Sequence, residues 1–365
     1  MKLMTKLAAA TAVALAAGGL SAEDKVLNVY NWSDYIAEDT LEKFEKETGI
    51  KVVYDVFDSN DVLEAKLLSG KTGYDVVVPS SSFMARQIKA GVFQKLDQSK
   101  LSNAKGLDAG IMAKLSDMDP GNMHSVPYLW GTTGIGINVA KVKERLGDDY
   151  PLDSWDIVFN PEVAAKLADC GITLLDAWDE ILPSALSYLG ENPRSVDPKL
   201  FDGKAKDALM AVRPHIRYFH SSQYINDLAN GDVCVSVGWS GDILQAMDRA
   251  DEAENGVEIE YIIPKEGAGL WFDMLTIPAD ADHVESAHLF LNFLMRPDIM
   301  ADITNYVWYP NAIPASKKSI EAEIVENPSI YPSDEVAAKL FTFPVYSSKV
   351  DRIGSRAWTA IKTAK

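Results

Sequence analysis

Three tryptophan–aspartate pairs carry the most legible chemistry in this chain: Trp32-Ser33-Asp34, Trp239-Ser240-Gly241-Asp242 and Trp271-Phe272-Asp273. An indole face attracts positive charge through its quadrupole and covers methylene groups. A carboxylate beside it accepts the hydrogens of an ammonium in charge-assisted bonds. Each pair is therefore a local receptor for an organic cation, and together they could line one pocket.

Position decides whether they can. Asn31–Tyr35 follows a predicted strand over Val26–Tyr30, and Ser80–Ser82 follows another over Tyr74–Val78. Trp239 and Asp242 span a predicted strand-to-helix turn, so both can point off the strand end. Trp271 and Asp273 are two apart in a predicted strand and share a face. Ser80, Glu180 (in Asp176-Ala-Trp-Asp-Glu180) and Tyr309 (in Val-Trp-Tyr-Pro-Asn) are further candidates at element ends. Simpler roles stand beside these. Asp242 and Ser80 could cap helices, Glu180 could be a solvated first-turn acid, Trp32 could be sheet packing and Tyr309 a surface aromatic.

The elements alternate. After the strand Val26–Tyr30 the spacing predicts a helix over Thr40–Thr48, with Asp39 as N-cap and Gly49 at its end. A strand over Val52–Val56, a helix over Asp58–Ser69 and the strand Tyr74–Val78 follow. This is the pattern of a parallel α/β sheet, which places ligands outside the carboxyl ends of its strands. A second run begins near Gly134. It predicts strands at Gly171–Leu175, Val233–Val237, Glu258–Ile263 and Leu270–Ile277, with helices between and after them. Asp108–Val126 reads as a surface connection.

Residues 1–22 are expected to be a secretory signal peptide cleaved near Ala22. Lys2 and Lys6 precede an uncharged apolar stretch from Leu7 to Leu20 that is too short for a bilayer span. Without Lys2 and Lys6, 33 basic residues face 53 acidic ones, a balance of −20. That sign excludes nucleic acid as a partner and favours cationic ligands. The remaining 343 residues (365 minus 22) exceed one comfortable core, so two lobes are expected. Two cysteines in an exported chain, Cys170 and Cys234, suit one disulfide; two buried thiols are the alternative.

Other motifs fail on spacing. Gly70-Lys71-Thr72 would complete a phosphate-binding loop only with a glycine at Ala65. Gly134-Ile135-Gly136 lacks the third glycine of a dinucleotide fingerprint, where Val139 stands. Gly238-Trp-Ser-Gly241 misses the nucleophile elbow by one residue. The five histidines form no metal spacing. Neither a cofactor, a metal nor a catalytic residue is expected. A periplasmic hydrolase using two of the acids is the rival reading.

Several longer runs carry a family resemblance: Val29-Tyr-Asn-Trp-Ser-Asp-Tyr-Ile36, Phe44-Glu-Lys-Glu-Thr-Gly-Ile-Lys-Val52, Asp75-Val-Val-Val-Pro-Ser80, Arg217–Asp232 and Gly238-Trp-Ser-Gly-Asp242. They resemble the periplasmic polyamine-binding proteins of bacterial ABC uptake systems. The resemblance implies a type II periplasmic binding fold, with two α/β lobes joined by crossovers and a ligand cleft at the hinge. The expected lobes are 23–132 plus 254–319, and 133–253 plus 320–365. The resemblance implies cleft walls from Trp32, Tyr35, Trp239, Trp271 and Tyr309. It implies ammonium acceptors at Asp34, Glu180, Asp242 and Asp273, and hydroxyl partners at Ser33 and Ser80. The Cys170–Cys234 disulfide also fits it.

Trp271 resembles the spermidine-preferring branch, whereas Ser82, Phe83 and Ala177 look more like the putrescine pattern. Spermidine is the leading expected ligand and putrescine the alternative. Burying spermidine's seven methylenes would contribute about 5 kcal/mol at ~0.8 each. The partners implied are a polyamine and a membrane ABC permease, with the chain a monomer in the periplasm.

Overall fold

The computed structural model describes residues 25–364. The expected signal peptide lies outside the described residues. No described helix is long and apolar enough to cross a membrane.

Local sequence signals account for the opening elements. The helix Thr40–Thr48 buries Phe44 and ends at Gly49, whose φ of 72° is the left-handed conformation that glycine adopts without strain. The next helix starts at Asn60 because Ser59 caps it, its hydroxyl accepting from the Asp61 amide. Strand β1 (Val26–Trp32) pairs in parallel with β2 (Lys51–Phe57) and with the short β3 (Val76–Val77). Their buried faces, with Leu27, Val29, Val76 and Phe44, build a first hydrophobic cluster.

The second cluster forms around β5 (Ile172–Leu174), β6 (Ile216–Phe219) and β7 (Val235–Trp239). β5 pairs in parallel with both of the others. Trp155, Trp178, Phe201 and Tyr224 fill the space beneath them. Cys170 and Cys234 each sit just before one of the paired strands, β5 and β7. They form a disulfide with a Cα–Cα distance of 5.5 Å.

Two long antiparallel strands run between the clusters. β4 (Ser125–Asn138) pairs with β9 (Gly269–Thr276) along Ser125–Thr133 and with β7 along Thr133–Ile137. Val126, Tyr128 and Leu129 of β4 belong to the first cluster, and Ile135 and Ile137 to the second. The strand order is β2-β1-β3-β9-β4-β7-β5-β6. This is the two-lobed α/β arrangement expected of a type II periplasmic binding fold.

Two segments distribute differently from the expected lobe boundaries. β8 (Ile259–Ile262) pairs with Ile135–Asn138 of β4 and packs in the second cluster, although 254–319 was assigned to the first lobe. β10 (Phe341–Thr342) pairs with β9 and joins the first cluster, although 320–365 was assigned to the second. Asp108–Val126, read as a plain connection, holds a helix at Ala109–Leu115 capped by Asp108. The C-terminal helix Ser348–Thr363, absent from the sequence reading, packs its Trp358 and Ile361 into the second cluster.

Candidate functional site

A chamber of about 330 Å³ lies between the two clusters. Its lining is Trp32, Ser33, Tyr35, Ser80, Glu180, Trp239, Asp242, Trp271, Asp273 and Tyr309. Ten of the eleven residues expected to bind ligand thus converge on it. None of the lining residues is basic.

The first cluster supplies one carboxylate and its support. Trp271 and Asp273 are two residues apart in β9, so the pleat turns both to the same side. Asp273 accepts from the Tyr35 hydroxyl at 2.8 Å and from Ser80 Oγ at 2.6 Å. Ser80 stands at the N-cap position of the helix Ser81–Lys89 but makes no side-chain cap bond. Its hydroxyl instead donates to Asp273 and accepts from Asn60 Nδ2 at 2.9 Å.

The second cluster supplies the other. Asp242 lies in the first turn of the helix Ser240–Glu252 but does not cap it. Its Oδ2 accepts from the Tyr224 hydroxyl at 2.8 Å, and its Oδ1 accepts from the Tyr309 hydroxyl at 2.7 Å. Glu180 lies in the first turn of the helix Trp178–Tyr188 and is buried, not solvated. It accepts from Thr133 Oγ1 and from Trp239 Nε1, the latter at 3.1 Å.

Removal from water sets the electrostatics. Burial pushes the carboxyls of Asp242 and Asp273 up to about 7, and the hydroxyls bonded to each pull only partly the other way. Burial also raises Glu180. The chamber thus holds three acids that are costly to ionise with no cation among them. A guest bearing positive charge would reverse that cost.

The aromatic rings form the remaining walls. Trp32 and Trp239 meet edge to face with centroids 5.3 Å apart, and Trp271 lies 5.5 Å from Tyr309. Two glycines make this packing possible. A Cβ on Gly131 would stand 2.8 Å from Trp271 Cη2, and one on Gly241 would stand 2.4 Å from Tyr309 Cδ2.

A second chamber of about 260 Å³ adjoins the first. Asp58, Asp61, Phe83, Asp176, Ala177 and Asp179 help to line it. Trp32, Glu180 and Trp239 border both chambers and so partition them.

Asp34 is the exception among the expected residues. It is not in the lining of the first chamber. Its φ of 52° is a left-handed turn, and its exposed carboxylate meets Arg249 Nη2 at 2.7 Å. Only its backbone faces inward, accepting from Gln245 Nε2 at 3.3 Å.

Sequence reasoning missed Tyr224, Thr133, Gly131 and Arg249. Tyr224 sits within the recognised Arg217–Asp232 run, but nothing in its spacing points to Asp242. Thr133 and Gly131 lie on β4, whose contact with the site comes from tertiary pairing alone.

Comparison with known proteins gives one coherent group. The family described as bacterial extracellular solute-binding protein matches residues 39–332. The putrescine-binding periplasmic protein SpuD of Pseudomonas aeruginosa is 57% identical over 361 residues, covering 99% of this chain and 98% of that protein. The putrescine-binding periplasmic protein PotF of Escherichia coli is 54% identical, covering 100% and 98%. Among solved structures, the spermidine/putrescine ABC transporter substrate-binding protein PotD of Streptococcus pneumoniae superposes with a TM-score of 0.74. It is 28% identical, over 93% of this chain and 98% of that one.

Proposed function

The chain belongs to the bacterial extracellular solute-binding proteins, and we propose that it captures putrescine in the periplasm and delivers it to an ABC permease. The observation that carries this reading is the pair Asp242 and Asp273, both buried and supplied by different elements to one chamber lined by aromatic rings and no basic residue. The family is one of binding proteins, and the hydrolase alternative is set aside.

Putrescine displaces the spermidine first expected from Trp271. SpuD and PotF, each more than half identical to this chain, are both named for putrescine. The site gives separate support. Trp32, Trp239 and Glu180 border both chambers, and in this reading they form the stop that favours a diamine over a longer triamine.

In this reading one ammonium lies between Asp242 and Asp273, and the methylenes run between the tryptophan faces. The second ammonium approaches Glu180. Four buried methylenes contribute about 3 kcal/mol, and each desolvated cation–ring contact adds roughly 0.5–2 kcal/mol. Ser80 orients Asp273, and Ser33 offers its hydroxyl to the ligand. Closure follows because the cation neutralises acids from both lobes. The lobes are 23–132 plus 254–319 and 133–253 plus 320–365, with β8 and β10 exchanged between them. The protein acts as a monomer after loss of the segment ending near Ala22.

Calorimetry with putrescine, spermidine, cadaverine and arginine tests the proposal. The expected result is tightest binding of putrescine. Tighter binding of spermidine would restore the triamine reading, and no heat with any polyamine would remove the function altogether.

A further inference from the structure

The half-buried residues of the first chamber mark where it meets solvent. Ser33, Ser80 and Trp239 are the members of its lining that are not fully buried. Ser33 precedes Asp34, whose ion pair with Arg249 at 2.7 Å shuts that side. Ser80 accepts from Asn60, and Asn60 and Trp239 both line the second chamber. The second chamber therefore stands between the first and solvent on the other side, with Asp61 exposed at its rim.

Its charge suits a cation. Asp58, Asp61, Asp176, Asp179 and Glu180 line it with no basic residue among them. Asp176 is answered by Lys362 Nζ at 2.7 Å, and Glu180 by Thr133 and Trp239. Asp179 is not answered. It is 8% exposed, and among the described residues its carboxylate accepts from no side chain and from no amide but its own. Arg86 lies within electrostatic reach but is already paired with Glu64 at 2.7 Å and Asp351 at 3.2 Å. Burial, and after it the neighbouring Glu180, pushes the Asp179 carboxyl well above the usual carboxylate range. An ammonium would supply both the missing donors and the missing charge.

We propose that the second chamber is an entry site for an alkyl ammonium. Asp179 and Asp61 hold one end of an incoming diamine there before it passes between Trp32 and Trp239 into the first chamber. The proposal rests on the diamine reading above and adds a step to it. The two indoles meet edge to face, so passage waits for them to part. A waiting place of opposite charge raises the local ligand concentration at that moment. A site used only in transit lowers the barrier in both directions and leaves the final affinity alone.

Stopped-flow tryptophan fluorescence with putrescine tests this on the full chain and on its Asp179→Asn and Asp61→Asn variants. In Asp179→Asn the association and dissociation rates should both fall roughly fivefold or more, and in Asp61→Asn roughly twofold or more. Calorimetric affinity should stay within about twofold of the parent's in each. Added salt should slow association of the parent more than that of Asp179→Asn. Unchanged rates in Asp179→Asn overturn the proposal. So does weaker binding through faster dissociation, which would make Asp179 part of the final site. Melting temperature shows whether Asp179→Asn folds; if it does not, Asp61→Asn at the exposed rim decides by the same criteria. A parent that gives no putrescine heat overturns the diamine reading and the entry site together, whereas a parent that binds while the variants keep its rates overturns the entry site alone.

Discussion

The ring of Tyr309 lies flat against Gly241, so close that a Cβ there would stand 2.4 Å from its Cδ2 and Cε2. The same tyrosine donates its hydroxyl to Asp242 at 2.7 Å, one residue along the helix. A residue without a side chain thus sets the position of an acid's hydrogen-bond partner.

Gly241→Ala should push Tyr309 off Asp242 while leaving the helix Ser240–Glu252 intact, since alanine favours a helix interior. Putrescine affinity is expected to fall roughly tenfold or more, about 1.4 kcal/mol. Calorimetry alongside thermal melting checks this. A large fall in melting temperature with unchanged affinity would show that the contact serves stability only.

Asp242→Asn keeps the size of the side chain and loses its charge. If Asp242 holds a buried ammonium, affinity should fall by roughly 2 kcal/mol or more. The ligand-free protein should not lose stability, because an acid that burial makes costly to ionise is replaced by a neutral amide. A loss of affinity below about 0.5 kcal/mol would remove Asp242 from the ammonium site.

Proton binding and ligand binding should compete. Burial raises Asp242 and Asp273 from 3.8 to about 7. An acid whose folded pKa is raised stabilises the fold fully below its unfolded pKa, and that stabilisation fades as pH rises through its folded pKa. The contribution of these two acids to ligand-free stability should therefore decline between about pH 4 and about pH 7. Putrescine replaces the protons, so its affinity should strengthen roughly tenfold or more from about pH 5.5 to about pH 8. Calorimetry across that range decides; a flat affinity would mean the acids stay ionised without ligand.

Arg249→Ala removes the Arg249–Asp34 contact between the loop after β1 and the helix Ser240–Glu252. Both side chains are about one-third exposed, so solvent screening limits the contribution to about 0.2–1 kcal/mol. Faster putrescine release, with association little changed, is the expected stopped-flow result. High salt should reproduce most of it in the parent protein.

The disulfide should matter for folding and not for capture. It closes a separation of 64 residues beside the β5–β7 pairing, away from the chamber lining. In the chain-entropy account, Cys170→Ser with Cys234→Ser lowers unfolding free energy by roughly 4 kcal/mol. Denaturant titration measures that loss, and calorimetry on the folded variant should return the parent's affinity.

Much of this was legible before any coordinates. The helix Thr40–Thr48 and its glycine stop follow from apolar spacing and a left-handed C-cap, both local. Trp271 and Asp273 share a face because strand pleating has a period of two. Ten of the eleven expected site residues face one chamber. Asp34 does not, because a single left-handed residue reverses the direction of its side chain, and motif spacing carries no dihedral angles.

By itself the sequence determined the residue types that can hold a cation, their places at element ends, and the acidic balance that favours one. Only the tertiary structure decided which hydroxyls support which acid. Tyr224 with Asp242, Tyr35 with Asp273 and Thr133 with Glu180 join residues 18, 238 and 47 positions apart. Local periodicity cannot encode such pairs. They arise when β4 and β9 bring two separately packed clusters face to face and exclude water between them.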